Sequence, residues 1–316
     1  MRQGQLELFF SHMASLSKNR TALEKEKGTL LYPEWDRELH GYKNNWARIR
    51  ERQLKGSSRI FYEDTVWKYR GLLKKIRREF QKLRPEDLSR LRNQYDGDEI
   101  DLDAAVAYFT DRRMGMIPSE KNYMRTEKNA RDIAVIFLVD MSKSTKGATI
   151  MCEKEALIIM SEALNEVGDA FAIYGFSGDN RDNVDFYKIK AFDDPYNQSV
   201  KAGISAIDYG FENRDGTAIR HSISILKGRE ERTKLIVLLS DGKPVDKDYS
   251  GDYAIEDTRM ALLEARKHGI DTFCITVDRE ASEYLPRMYS HSSWIVMDDV
   301  NSLPKKISRI YGGLTR

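Results

Sequence analysis

The stretch IFLVDMSKSTK, Ile136–Lys146, decides the fold. An apolar run stops at an aspartate, and two serines follow at alternate positions. The run begins at Ile133, and IAVIFLV contains no polar residue. A strand with one wet face alternates apolar and polar side chains, whereas an unbroken apolar run marks a strand buried on both faces, as in parallel sheets. Ser142 and Ser144 stand two apart, the spacing at which extended side chains share a direction. One carboxylate and two hydroxyls therefore converge just beyond the end of a buried strand.

The same grammar continues downstream. Helical periodicity over Cys152–Val167 leads to an apolar strand at Ala170–Phe176. Phe186–Ile189 reads as an edge strand, and helices are expected at about Tyr196–Asp208 and Ala218–Leu226. KLIVLLSD, Lys234–Asp241, is a second buried strand that ends in aspartate. A helix at Ile255–His268, a strand TFCITVD (Thr272–Asp278), a strand at Trp294–Met297 and a helix near Val300–Tyr311 complete the pattern. Strands alternating with helices of about 10–15 residues define an α/β protein with a doubly wound, mostly parallel sheet. Ligands bind such sheets at the carboxyl ends of the strands. Asp140 and Asp241 both lie there and would be side by side if their strands are neighbours.

Residues 1–130 read as a helical N-terminal region, and 131–316 as the α/β domain. VWKYRGLLKKIRREFQKL (Val66–Leu83) carries Val66, Tyr69, Leu72, Leu73, Ile76, Phe80 and Leu83 on one stripe, with Lys and Arg on the other face. Pro85 argues for a stop. A second helix is expected over Leu102–Arg113, with Asp101 and Asp103 in its N-terminal turn. The acidic group Asp96, Asp98, Glu99, Asp101 and Asp103 lacks the fifth-position oxygen of an EF-hand, since Ile100 stands there. Capping, or pairing with the basic helix, accounts for it. The polar SEKNYMRTEKNARD (Ser119–Asp132) reads as a linker.

With 41% hydrophobic and 32% charged residues, the chain can bury a core and stay soluble. No apolar window approaches the roughly 18 residues of a membrane span. MRQGQLELFF lacks a basic-then-apolar leader, so a cytoplasmic location is expected. The only two cysteines, Cys152 and Cys274, sit in apolar patterns and read as reduced core residues. Residues 1–130 hold 27 Lys and Arg against 20 Asp and Glu, whereas the rest hold 25 against 30. The two parts attract each other, or the first offers a basic surface to an acidic partner. Interleaved acids and the absence of a reader motif argue against nucleic acid.

Asp140, Ser142, Ser144 and Asp241 offer only hard oxygens. That set suits Mg²⁺, which takes about six oxygens in an octahedron and keeps several waters; other divalent cations share the preference. No His or Cys is near in sequence, so a softer metal is not indicated. A bare turn or helix cap could also use an aspartate and two serines. The second strand-ending aspartate favours metal.

This pattern resembles the metal-ion-dependent adhesion site of von Willebrand factor A domains: D-x-S-x-S after an apolar strand, then a threonine loop, then a strand-ending S-D-G. The resemblance runs from about Ile133 to the C-terminus and implies that Asp140, Ser142, Ser144 and Asp241 form the site. A threonine is the usual fifth member. In NRDGTAI, Asn213 falls at that position and Thr217 lies four residues later. Asn213 by its amide oxygen, or Thr217 or Asp215 through water, could serve.

YPEWD (Tyr32–Asp36), DGDEIDLDAAV (Asp96–Val106), IEDTRMALLEARKHGI (Ile255–Ile270) and FCITVDREA (Phe273–Ala281) are similar to the NorD type of nitric oxide reductase activation proteins, which are related to CbbO-type Rubisco activase subunits. That resemblance implies a MoxR-class AAA+ ATPase partner and a client metalloenzyme, nitric oxide reductase, engaged by the A domain. It implies an adaptor that is not an enzyme. The residues agree: there is no G-x-x-x-x-G-K-[ST] for ATP, no G-x-S-x-G elbow and no HExxH. An open position on Mg²⁺ would accept a partner's Asp or Glu. Two alternatives stay open. One is a metal-independent protein-binding module. The other is a phosphohydrolase of haloacid dehalogenase type, which needs an acid/base aspartate where Ser142 stands. The aromatics of YPEWD with Tyr42 and Trp46 would clasp the N-terminal segment to its own domain or dock a partner. DKDYSGDY (Asp246–Tyr253) reads as a solvated loop beside the site, and His221 as structural.

Overall fold

The structure, a computed structural model, describes residues 29–82, 88–128, 132–277, 283–289, 293–297 and 300. The helix expected near Val300–Tyr311 lies outside the described residues, apart from Val300 itself.

The chain opens with strands β1 (Thr29–Asp36) and β2 (Gly41–Gln53), then helices α1 (Ile60–Lys68) and α2 (Arg70–Lys82). A small unit follows: β3 (Leu88–Gln94), β4 (Glu99–Ile100), α3 (Leu102–Arg113) and β5 (Tyr123–Lys128). The alternating part begins with β6 (Ile133–Asp140), a turn of 3-10 helix at Lys143–Thr145, α4 (Ala148–Val167), β7 (Ala170–Asn180) and β8 (Asn183–Lys190). It continues with α5 (Gln198–Ser205), α6 (Asp215–Lys227), β9 (Thr233–Ser240), α7 (Gly251–Lys267), β10 (Ile270–Thr276), α8 (Leu285–Met288) and β11 (Ser293–Val296).

The main sheet has the order β1-β2-β8-β7-β6-β9-β10-β11. Its centre, β6, is buried at all eight positions and pairs in parallel with β7 and β9. Period two sends Val135, Phe137 and Val139 to one face, where they share a core with Leu157 and Ala163 of α4 and with Tyr62, Leu73 and Ile76 of α1 and α2. Ala134, Ile136 and Leu138 face the other way, against Ala218 and Ile219 of α6 and Ala261 and Leu262 of α7. Each fully buried Val, Leu, Ile or Phe contributes about 1.5–3 kcal/mol relative to exposure. Helices on both faces make the sheet doubly wound, as expected. Gly168, in the left-handed region at φ 81°, ends α4 and turns the chain into β7.

Four expectations are corrected. The region before Ile133 is not all helical: β1 and β2 form a hairpin that extends the main sheet, with Ile49–Gln53 of β2 pairing in parallel with Val184–Lys188 of β8. The segment at Phe186–Ile189 is therefore an interior strand, not an edge. The basic helix is two helices, interrupted at Tyr69, where ψ reaches 18°. A 3.6-residue stripe survives such a one-residue break, so periodicity alone does not report it. The linker at Ser119–Asp132 contains β5, which pairs with β3 and β4 in a second, three-stranded sheet.

Asp101 caps α3, accepting N–H bonds from Asp103 and Ala104 at 3.1 and 3.4 Å. Two of the acids around it pair within the small unit, Asp96 with Arg125 and Asp103 with Arg92. The second basic helix faces α4, with Arg77 on Glu162 and Glu166. No residue of α3 is buried, and Val106 and Phe109 are 66% and 67% exposed. Among the described residues no helix is long and apolar enough to cross a membrane.

Candidate metal centre

Parallel pairing sets Val139 of β6 against Leu239 of β9, so the chain delivers Asp140 and Asp241 to the same edge of the sheet. The Asp140 carboxylate is fully buried. Its Oδ1 accepts the Ser142 N–H at 2.8 Å, and its Oδ2 accepts from Ser240 Oγ at 3.2 Å. The Ser142 and Ser144 hydroxyls lie 2.8 Å apart, and Ser144 Oγ donates to Asp241 Oδ1 at 3.0 Å. A 3-10 turn at Lys143–Thr145 follows Ser142 and carries Ser144. Burial, and then the charge of Asp241, pushes the Asp140 carboxyl up to about 7. A buried carboxylate beside a second, half-buried one resists ionising, and a cation relieves that cost.

The loop before α6 brings three more groups. Asn213 Nδ2 donates to Asp140 Oδ2 at 2.7 Å, while its Oδ1 accepts the Val245 N–H at 2.7 Å. A backbone N–H can only donate, so the amide oxygen is committed to Val245 and the amide nitrogen faces the site. Thr217 Oγ1 and both oxygens of Asp215 are buried in the first turn of α6 with no hydrogen-bond partner. Burial, then Asp140, Asp241 and Asp257, raise the Asp215 carboxyl well above the usual range.

Sequence reasoning missed two features. Glu153, on α4, is buried with both oxygens unpartnered. Its carboxyl is held well above the usual range by burial and then by the charges of Asp140 and Asp241. The signal was available, because Glu153 stands three residues after Ile150 and four before Leu157, on the buried stripe of α4. The second is Arg214, next to Asn213. Its Nη1 donates to Glu34 Oε1 at 2.6 Å, its Nε to Asp246 and its Nη2 to the Lys247 carbonyl. Glu34 belongs to YPEWD, and two neighbours in that motif bind the domain as well. Tyr32 Oη sits 2.7 Å from His221 Nδ1, and the Trp35 N–H donates to Asp257 Oδ1 at 2.6 Å. The motif thus clasps its own domain, His221 is engaged structurally, and Asp246 at the start of DKDYSGDY is buried rather than solvated.

The family model described as von Willebrand factor type A domain matches residues 134–309, more than half of the chain. The chain belongs to the von Willebrand factor A domain family. The A domain has relatives along most of its length and into the N-terminal region. Protein NorD of Stutzerimonas stutzeri is 37% identical over 235 residues, 72% of this chain and 38% of that protein. Protein NorD of Brucella melitensis is 35% identical over 288 residues, 89% of this chain and 45% of that protein. An uncharacterized Pseudomonas aeruginosa protein is 38% identical over 248 residues, 76% of this chain and 40% of that protein. The chain thus spans less than half the length of these relatives. Among solved structures, the vWF domain of the type V pili tip protein Mfa5 from Porphyromonas gingivalis overlays 58% of this chain and 96% of that chain, with a TM-score of 0.44 and 11% identity.

The residues fit a hard divalent cation. The candidate ligands at the strand ends offer oxygens, and the Thr217 hydroxyl, in the first turn of α6, is buried without a partner. Among the described residues no three His, Cys, Asp or Glu side chains are placed to hold one ion together. An ion here would rest on two carboxylates, hydroxyls and water, the mixture Mg²⁺ accepts.

Proposed function

We propose that the A domain binds a divalent cation, Mg²⁺ by its chemistry, at Asp140, Ser142, Ser144 and Asp241, and that the protein is a non-catalytic adaptor. The hydrogen bonds Ser142–Ser144 and Ser144–Asp241, which tie the loop after one strand to the end of the next, carry this reading. When bound, the cation supplies an open coordination position for an Asp or Glu of a client protein. Asp140 and Asp241 supply the balancing charge, the serines orient the loop, and the Arg214 network holds the neighbouring loop in place. The likeness to proteins named NorD supports a client metalloenzyme, with nitric oxide reductase the first to test, and a MoxR-class AAA+ ATPase as the partner that pulls on the contact. A cytoplasmic location follows from that partnership.

Calorimetric titration with Mg²⁺ tests the site. Saturable binding by the wild type and none by Asp140→Ala supports it; heat of binding retained by Asp140→Ala places the ion elsewhere. Pull-down of ATPase and client with and without EDTA tests its use, and equal recovery in both would count against a metal-dependent contact.

One observation favours a second reading, a metal-independent protein-binding module. Leu102, Val106 and Phe109 form an exposed apolar stripe on α3. Recovery of partners that survives EDTA but is lost in Val106→Lys with Phe109→Lys would select it.

A further inference from the structure

Glu153 and Asp215 are buried carboxylates that lie outside the set Asp140, Ser142, Ser144 and Asp241. They come from different elements, α4 and the first turn of α6, and both oxygens of each lack a hydrogen-bond donor. Buried polar atoms are almost always paired, so two carboxylates with all four oxygens unpaired need a reason. The charges that act on Glu153 are those of Asp140 and Asp241, and the same two act on Asp215 together with Asp257. Among the described residues neither pairs with a cation. Lys154, the residue after Glu153, points its ammonium at the Ser205 carbonyl, 2.8 Å away.

Neither is a third ligand either, because among the described residues no three such side chains are placed to hold one ion. What the two carboxylates lack is donors, and a hydrated cation brings donors. Mg²⁺ keeps several of its waters in protein sites, and those waters need acceptors. Groups that fix the atoms around an ion without touching it typically change metal affinity about 10–100-fold.

We propose that Glu153 and Asp215 are outer carboxylates of the metal centre, which accept hydrogen bonds from the water bound to the cation. The inference rests on the metal reading above. Four carboxylates around one ion then set the affinity, and the two outer ones give the site more negative charge than its ligands alone.

The test is Mg²⁺ calorimetry on the wild type, Glu153→Gln and Asp215→Asn, with the melting temperature of each metal-free protein as the companion measurement. The expected result is one site in the wild type, a Kd raised about tenfold or more in each variant, and metal-free melting no lower than wild type. Unchanged Kd in both variants overturns the inference and leaves the metal reading standing. So does a weaker Kd that comes with metal-free melting lowered by several degrees, which is the mark of damaged packing. Two bound ions in the wild type also overturn it, since the outer carboxylates would then be ligands. No binding of Mg²⁺ or Mn²⁺ by the wild type overturns the metal reading itself and this inference with it.

Discussion

Glu34 and Arg214 meet at 2.6 Å with side chains 0% and 1% exposed, although 180 residues separate them in the chain. The contact joins the N-terminal hairpin to the loop that presents Asn213, Asp215 and Thr217. Tyr253 Oη donates to the second oxygen of Glu34 at 3.0 Å, and Asp246 takes another face of the guanidinium. Removing one partner of a buried pair strands the other charge, at a cost of about 3–5 kcal/mol. Glu34→Ala should therefore destabilise the protein by that order in urea unfolding. A loss below about 1 kcal/mol, the value of an exposed pair, would show that Arg214 finds water instead.

The hairpin also covers β8. Ile49 of β2 opposes Val184 in the sheet, and both share a core with Phe186. A shortened protein that begins at Asp132 leaves β8 with an open row of backbone donors and acceptors and removes Tyr62, Leu73 and Ile76 from the opposite face. Open apolar edges template pairing with other chains. The shortened protein should elute as oligomers or aggregate in size-exclusion chromatography; a stable monomer would contradict the hairpin's structural role.

At the hairpin turn, Asp36 receives the Lys43 ammonium at 2.6 Å and the N–H groups of Glu38 and Leu39 at 2.8 and 3.1 Å. Lys43 foremost, then these amides, hold the Asp36 carboxyl below its ordinary value. A carboxyl depressed in the folded state contributes stability that is present above its unfolded pKa, near 4, and lost as pH falls through the folded value. Asp36→Asn should melt below wild type at neutral pH, and the gap should close below about pH 4. A gap that is constant with pH would assign the effect to packing.

Asn213 and Thr217 separate cleanly by substitution. Asn213 bridges Asp140 and the Val245 N–H, so Asn213→Ala strands buried groups and should cost about 1–3 kcal/mol in stability. Thr217 Oγ1 bonds to nothing, so Thr217→Val is expected to leave stability nearly unchanged. If the hydroxyl serves the cation, the same variant weakens Mg²⁺ binding in calorimetry. Full affinity in Thr217→Val together with lost affinity in Asn213→Ala would reverse the assignment.

The sequence by itself determined the central sheet and the strand-end oxygens. β6 and β9 are built on the apolar runs Ile133–Val139 and Leu235–Leu239, and a run buried on both faces leaves little choice of partner layer. Asp140, Ser142, Ser144 and Asp241 were legible because each is tied by one or two residues to the end of such a run. Asp101 at the start of α3 was legible too, since a cap is a local hydrogen bond. Only the tertiary structure decided the rest. β2, GYKNNWARIRERQ, buries just Ala47 and Ile49, so its pattern does not announce a strand that joins β8 more than 130 residues away. The orientation of Asn213 depends on the Val245 N–H, and the burial of Glu34 depends on Arg214. Glu153 is an ordinary helical glutamate until β6 and β9 bring Asp140 and Asp241 into its surroundings. Periodicity and capping act within a turn or two of chain, whereas the partners of a buried charge are chosen by how distant elements pack.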